Sequence, residues 1–596
     1  MHRDSKLIYL LYAFISVAFC APLFAHPTGV GTLDWDQHQF YYAQVIKNVV
    51  EYAQPPFWSP WYCGGNVMWQ NPQTALLSPV YPLTAIAGLP LAMKANIVLH
   101  YFVGFVGMHL LLTRVLGVSF VPLVVYLASL FTLAGGHVMH VAVGHTVFLP
   151  AFYLPLILYF LIRAVQTQTV GPARWAGVGF ALMIYNGGTH ILWMTVPAIA
   201  IFVATLAIAM TSWRPIVVAF VIGVSGAAYA APKLLPVVLF VGSDRFWDAR
   251  DPTARPDRMT LAMMLTAYTD PAQNIGSKYP TPEQQHDWLE YGDYVGTLGA
   301  VLMAAGLLWF LRFPGRASLE PVEGSDPRFR LFGTPFAITA LVFLVLSAGE
   351  FNRFAPASLL HHVPFFSSFR IPSRYTVIVS LFGSLTAAMF VRAALDKFAW
   401  TTITRIAVSL VCAIATLQLL LVNRAHFRDK FSAPPLEAGF RVMGGTGNLV
   451  RDIFVNPYLA NAPMLHALMN DQVVMWCYEV LQLKRGADDV RPLVWTEGPA
   501  KISDVAFTPN RVQFSAIGGP ERTRVFLNQN YAEGWRSTAG PVRLDPQAGG
   551  RMYVELAPGQ TGRFAFSFVP PGLWAGIAIL ALALAATAVA WHRRLP

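Results

Sequence analysis

Residues 74–93 read TALLSPVYPLTAIAGLPLAM, twenty residues without a charge, and the fold turns on whether they cross a membrane. A span of the hydrocarbon core needs about 20 apolar residues in one helix. The length qualifies, but Pro79, Pro82 and Pro90 interrupt the run, and broken backbone is tolerated at membrane depth only where protein or water satisfies it. The flanks decide. If the segment does not cross, the apolar runs 7–25, 95–116, 118–136, 147–163, 174–188, 190–211, 214–236, 293–311, 334–349, 376–394, 403–422 and 572–591 give about twelve helices. Arg114, Arg163, Arg174, Arg214, the cluster Arg312, Arg316, Arg328 and Arg330, then Arg392, Lys397, Arg405, Arg593 and Arg594 then all fall on one side. Short basic loops on a single side are the cytoplasmic signature. A crossing at 74–93 would reverse every later loop and strand these cations outside. The segment is therefore read as interfacial and Pro-broken.

Composition agrees. Of 596 residues, 55% are hydrophobic and 12% charged, against about 25% charged in an average soluble domain. That excludes a soluble globule, and with it the disordered, collagenous and disulfide-framework classes. The net charge of +11 needs no nucleic acid, because cytoplasmic loops absorb most of it. Cys20, Cys63, Cys412 and Cys477 show no CxxC spacing, so neither a zinc site nor a disulfide framework is signalled. Residues 7–25 follow Arg3 and Lys6 and are read as a retained first helix rather than a cleaved signal peptide.

The expected fold class is a polytopic α-helical membrane protein with a C-terminal extracytoplasmic β-rich domain. Residues 1–422 form the transmembrane domain with outer loops 26–94 and 243–292. Residues 423–570 form an outer domain, mixed and partly helical over 425–489. Over about 490–568 it alternates in short runs such as RVQFSAI, RVFLNQNY and RFAFSFV, separated by turn residues, as a small β-sandwich would. Residues 571–596 supply a final helix and a cytoplasmic tail.

Unusual residues converge on the outer side. Asp34 and Asp36, followed by Gln37 and His38, lie just beyond the first helix; a carboxylate at the bilayer edge is costly unless paired or used, which suits a general base. One of the pair could instead cap the helix that starts near Gln37. Trp35, Trp58, Trp61, Tyr62 and Trp69 crowd around CGGN and Pro72-Gln73, a density that suggests a carbohydrate-stacking or lipid-facing cleft rather than an interfacial belt. FFSSFRIPSRY places Arg370 and Arg374 before a late helix, at an interface where the positive-inside rule gives them no reason; guanidinium forks there suit a phosphate. Glu290 and Tyr291 abut the next helix at membrane level, within a loop whose other charges, Asp244 to Asp251 among them, read as solvated. His137, His140 and His145 are too loosely spaced, and too short of an accompanying carboxylate or cysteine, to predict a metal set. They read as outer helix-end histidines contacting lipid or substrate, as does His190.

The order of these elements resembles the YfhO-type integral membrane glycosyltransferases of the GT-C superfamily. The resemblance is carried by Asp36-Gln37, the P-x-W-x-P of Pro56 to Pro60, Gly64-Gly65, Pro72-Gln73, Pro79, the FRIPSRY stretch and NYAEGWRS in the outer domain. It implies a GT-C-like fold and an inverting transferase that moves a sugar from a polyprenyl-phosphate donor to a cell-envelope glycan, lipid or protein on the outer face of the bacterial plasma membrane, with both termini cytoplasmic. It implies Asp36 as base with Asp34 as its neighbour, and Arg370 and Arg374 on the donor phosphate. Gln37, His38, Trp58, Trp61, Gln73, His145, Glu290 and Tyr291 would then line the substrate. No cofactor is implied, and a divalent ion is left open. The turn after Trp535 reads STAGPVRLDP rather than an Asp-Gly hairpin, so the acceptor side is the least transferable part. A flippase for a lipid-linked glycan and a non-catalytic envelope scaffold are the competing classes.

Overall fold

The computed structural model describes residues 2–242, 258–277, 286–313, 331–363, 366, 369, 371–395, 400–432, 450–454, 463–476, 483, 491–545 and 550–592. Among these, seven helices are long and apolar enough to cross a membrane: Lys6–Phe24, Leu89–Val115, Thr146–Thr167, Thr189–Ala209, Arg214–Val241, Pro372–Leu395 and Thr402–Phe427. An eighth is formed if Val121–Thr132 and Gly135–Val143, bent by 46°, count as one span. The chain is thus a polytopic helical membrane protein, but the expected count of about twelve is not confirmed among the described residues. The shortfall is one of length: Val170–Tyr185, Gly296–Arg312 and Gly333–Ser347 have 16, 17 and 15 residues, and pack against longer neighbours.

The deciding segment behaves as its prolines require. It forms only the eight-residue helix Val80–Ala87, which ends at Gly88 with φ 75° before the next helix starts at Leu89. Only glycine takes such a backbone cheaply. The chain then alternates between two ends of the bundle. At one end Arg392 reaches the Leu116 carbonyl and Phe120 packs on Trp400. At the other, Lys94 Nζ donates to the carbonyls of His26, Pro27 and Gly29 at 2.5, 3.1 and 3.2 Å, and Lys233 Nζ to those of Trp69 and Asn71 at 2.8 and 2.6 Å. These two buried ammoniums hold the first large loop onto the helix ends by satisfying backbone carbonyls that would otherwise be buried without partners.

A β-rich region follows, as the alternation over 490–568 predicts. One antiparallel sheet runs in the order Arg543–Asp545, Arg551–Leu556, Thr523–Leu527, Val494–Glu497; the second runs Lys501–Thr508, Arg511–Ile517, Gly562–Phe568, Trp535–Ser537. Val512, Phe514 and Phe566 of the second sheet share one core with Val525, Leu527 and Val554 of the first. The preceding part is mixed, with the parallel strands Val450–Phe454 and Gln472–Trp476 and the helix Pro463–Met469.

That core also takes in Trp58, Trp61 and Tyr62 of the first loop, all fully buried. Trp58 donates from its backbone to Asn510 Oδ1 at 3.1 Å and from its ring to Gln529 Oε1 at 3.0 Å, and meets Trp535 edge to face at 5.1 Å. Asn530 donates to the carbonyls of Cys63 and Gly65. The aromatic density around CGGN is therefore a docking core for the β region. With no ring face open, Trp58 and Trp61 cannot stack on a sugar, and that expectation is corrected. Cys63 is disulfide-bonded, a bond its spacing did not signal, while Cys20 and Cys412 are free and buried.

Candidate active site

The site is built where the helix Trp35–Val50 begins. Gly144 has φ 106°, and a Cβ there would fall on the Trp35 backbone nitrogen; its absence lets the turn 144–146 lie against the helix start. Trp35 Nε1 then donates to the Ala142 carbonyl at 3.3 Å, and Thr146 Oγ1 bonds His38 Nδ1 at 2.8 Å. This seam brings His145 Nε2 to 2.9 Å from Asp34 Oδ2. Asp34 occupies the N-cap position but makes no capping bond through its side chain. Its carboxylate is used across the seam instead.

From Asp34 a chain of polar contacts runs inward. His145 Nδ1 lies 2.9 Å from His140 Nδ1, and His140 stacks on Phe148 at 3.9 Å. His140 Nε2 is 3.9 Å from Glu290 Oε2. Glu290 accepts two bonds from Arg374, Nε to Oε2 at 2.7 Å and the terminal nitrogen to Oε1 at 2.6 Å, while the other terminal nitrogen of Arg374 lies 3.1 Å from His190 Nε2. The pair is a bidentate fork in a buried setting, where removing one partner costs about 3–5 kcal/mol. His190 is set by the first loop: Thr189 Oγ1 donates to the Pro72 carbonyl at 2.7 Å, and Gly187, at φ 77°, lets the Gln73 carbonyl approach. The Pro-Gln and Arg-x-Pro-x-Arg stretches are thus joined through His190.

Exposure grades along this chain. The Asp34 side chain is 28% exposed and His145 17%, whereas Glu290 is 8% and His140 3%. Asp34 is the open end. Burial raises its proton affinity, but the hydrogen bond and charge of His145, with His38 and Arg374 behind, outweigh burial and hold the carboxyl below the usual aspartate range. For Glu290, burial pushes upward and the Arg374 guanidinium, with smaller help from His140 and His145, pulls it well below the carboxylate range.

Asp36 has a different role. It is 1% exposed and accepts from the backbone N–H of Met464 at 3.0 Å through both oxygens and from that of Leu465 at 3.1 Å. These are orphan donors at the start of the helix Pro463–Met469, and a carboxylate is the natural partner for them. Burial pushes Asp36 up to about 7 despite these bonds. A side chain so enclosed holds a helix, which departs from the exposed base that the resemblance implies for Asp36. Lys47, between Glu51 at 2.8 Å and Asp471 at 3.1 Å, fastens the same helix-to-helix contact.

The remaining candidates are placed as follows. Gln37 is buried and donates to the Tyr41 hydroxyl at 2.7 Å, His38 is buried against Thr146, and Tyr291 is buried among Met259, Met263 and Trp288. Gln73 is partly exposed, with its backbone N–H on Asn71 Oδ1. Arg370 and the charges from Asp244 to Asp251 lie outside the described residues. Asp293 is buried between the Gly136 N–H at 2.9 Å and the Ser380 hydroxyl at 2.5 Å, where it ties two helices together. For His140 the sequence shows loose spacing and no accompanying carboxylate, and for His190 a helix-end position; Glu290, distant in sequence, is the carboxylate that the fold supplies. One ligating atom from each of His140, His145 and Glu290 lies within 4.8 Å of the others, a group able to hold a metal ion.

Comparison with known proteins is sparse. No protein-family model matches the chain, and no curated protein is similar to it. Among solved structures, a cryo-EM structure of the arabinofuranosyltransferase AftD from Mycobacteria is similar at 15% identity and a TM-score of 0.41, covering 72% of this chain and 27% of that one. A point mutant of AftD gives 16% identity, a TM-score of 0.41, and coverages of 71% and 28%. The chain thus spans little more than a quarter of the length of these neighbours. A superposition so loose, over so small a share of them, transfers neither a substrate nor a residue role.

Proposed function

We propose that the protein is a GT-C type glycosyltransferase that moves a sugar from a polyprenyl-phosphate donor to a hydroxyl of a cell-envelope acceptor on the extracytoplasmic face. The observation that carries this reading is the single polar chain that links Asp34, at its open end, to Arg374, at its cationic end. Asp34, held ionised by His145, accepts the proton of the acceptor hydroxyl as that oxygen bonds to the sugar's anomeric carbon. The bond from that carbon to the phosphate oxygen breaks on the opposite face, and the anomeric configuration inverts. Arg374 lends positive charge to the departing phosphate, and Glu290 and His190 fix the guanidinium so that little reorganisation accompanies the reaction.

The disulfide at Cys63 supports the side assignment, because such bonds persist in oxidising compartments. On this reading residues 26–94 and the outer domain face outward, Arg370 joins Arg374 at the phosphate, and both termini are cytoplasmic. Gln73 and His145 lie beside the substrate. Gln37, His38 and Tyr291 contribute from behind.

The test uses the full chain in lipid nanodiscs, with radiolabelled polyprenyl-phosphate sugars and envelope glycan extract. Formation of a new glycosidic bond is expected. Movement of labelled lipid between leaflets of proteoliposomes with no new bond would replace the transferase by a flippase.

A further inference from the structure

We infer that His140, His145 and Glu290 form a binding site for a divalent first-row transition metal, oriented from outside by Asp34. The placement of the three side chains carries the inference: one ligating atom from each lies within 4.8 Å of the others. The chain from Asp34 to Glu290 has three contacts: Asp34 Oδ2 to His145 Nε2 at 2.9 Å, His145 Nδ1 to His140 Nδ1 at 2.9 Å, and His140 Nε2 to Glu290 Oε2 at 3.9 Å. The two 2.9 Å contacts are hydrogen bonds, whereas 3.9 Å is too long for one, so none joins His140 Nε2 to Glu290 Oε2. Glu290 Oε2 keeps lone-pair capacity beside the bond it accepts from Arg374.

The 3.9 Å gap suits a cation. Zinc takes imidazole nitrogen at about 2.0–2.1 Å and carboxylate oxygen at about 2.0–2.2 Å, so one ion placed off the line between the two atoms reaches both. Displacing the hydrogen between the two histidines would free a His145 ring nitrogen as the third ligand, since one ligating atom of each of the three residues lies within 4.8 Å of the others. A set of two nitrogens and one oxygen favours zinc and its neighbours over magnesium or calcium, which prefer all-oxygen shells.

The surroundings have the features of a metal site. A ligating histidine usually donates its other ring N–H to a carboxylate, which fixes its tautomer. Asp34 stands in that position to His145. Phe148 stacks on His140 at 3.9 Å and holds its ring plane. Arg374 remains on Glu290, so the carboxylate serves two cations, and the net positive charge that a divalent ion and Arg374 leave over Glu290 and Asp34 is balanced when an anionic phosphate completes the shell.

The inference concerns binding and does not depend on the transferase reading. Full-length protein in nanodiscs is stripped with EDTA, titrated with Zn2+ alone and desalted. Elemental analysis then gives the stoichiometry, and zinc-edge X-ray absorption on the wild-type protein reads the ligands. One zinc per chain with the scattering pattern of two imidazoles is expected. His140→Ala and His145→Ala should each lose that zinc, and Asp34→Asn should keep it with about tenfold to hundredfold weaker affinity. Absence of stoichiometric zinc from the wild type, a spectrum without imidazole, or full retention by either alanine variant overturns the site.

Discussion

Asp34 and Asp36 are two residues apart, and a helix of 3.6 residues per turn carries them about 200° around its axis. One therefore faces the histidine seam and the other faces the outer domain, and no count of charges along the sequence separates them. The distinction shows in pH dependence. An aspartate raised by burial to about 7 binds its proton more tightly folded than unfolded, so stability falls as pH rises from the ordinary aspartate value near 4 to about 7, and is level above that. Asp36→Asn should abolish that fall. Thermal unfolding in detergent between pH 4 and 8 checks this: the midpoint of Asp36→Asn should gain on the wild type as pH rises. A constant difference would mean that Asp36 is not a buried carboxylate.

Elements were more legible than side-chain roles. Long apolar runs and the basic loops between them located the helices, because a bilayer demands a minimum length and a charge asymmetry whatever the packing. Pro79, Pro82 and Pro90 marked the segment that does not span by itself. The count is not confirmed where helices such as Gly333–Ser347 are short, because whether they cross depends on their neighbours, a tertiary property. Trp58 and Trp61 misled for a related reason: an aromatic cluster that seals a β region onto a loop has the same composition as one that binds sugar. His145 was noticed as a helix-end residue, but its partner was not, since the seam to Asp34 rests on a single left-handed glycine. Gly144→Ala places a Cβ against the Trp35 nitrogen at φ 106°. It should cost well over 1 kcal/mol, lower the unfolding midpoint and depress transfer by opening the Asp34–His145 contact. An unchanged midpoint and unchanged turnover would mean the seam is not what positions Asp34.

At the scale of the molecule, both large loops that build the site and the β region belong to one end of the bundle, while Ser119 and Arg392 mark the other. Single cysteines at Ile86, which is 84% exposed, and at Ser119 should react with a membrane-impermeant maleimide from opposite sides in sealed vesicles. Loss of labelling at Ile86 together with labelling of Ser119 from the outside would require the segment at 74–93 to cross and the basic loops to lie outside. The C-terminal region meets the first loop through Asp36, which grips its helix, and through the Trp58 core beneath its sheets.

On the proposed function, chemistry belongs to Asp34 while Asp36 is structural. Purified full-length wild type, Asp34→Asn and Asp36→Asn, each shown to be folded, are compared in nanodiscs for transfer from a polyprenyl-phosphate sugar. The account predicts a loss of about 10²–10⁴-fold for Asp34→Asn, the usual contribution of a general base, and turnover within about tenfold of wild type for Asp36→Asn. Undiminished turnover with Asp34→Asn, or a collapse confined to Asp36→Asn, would contradict it.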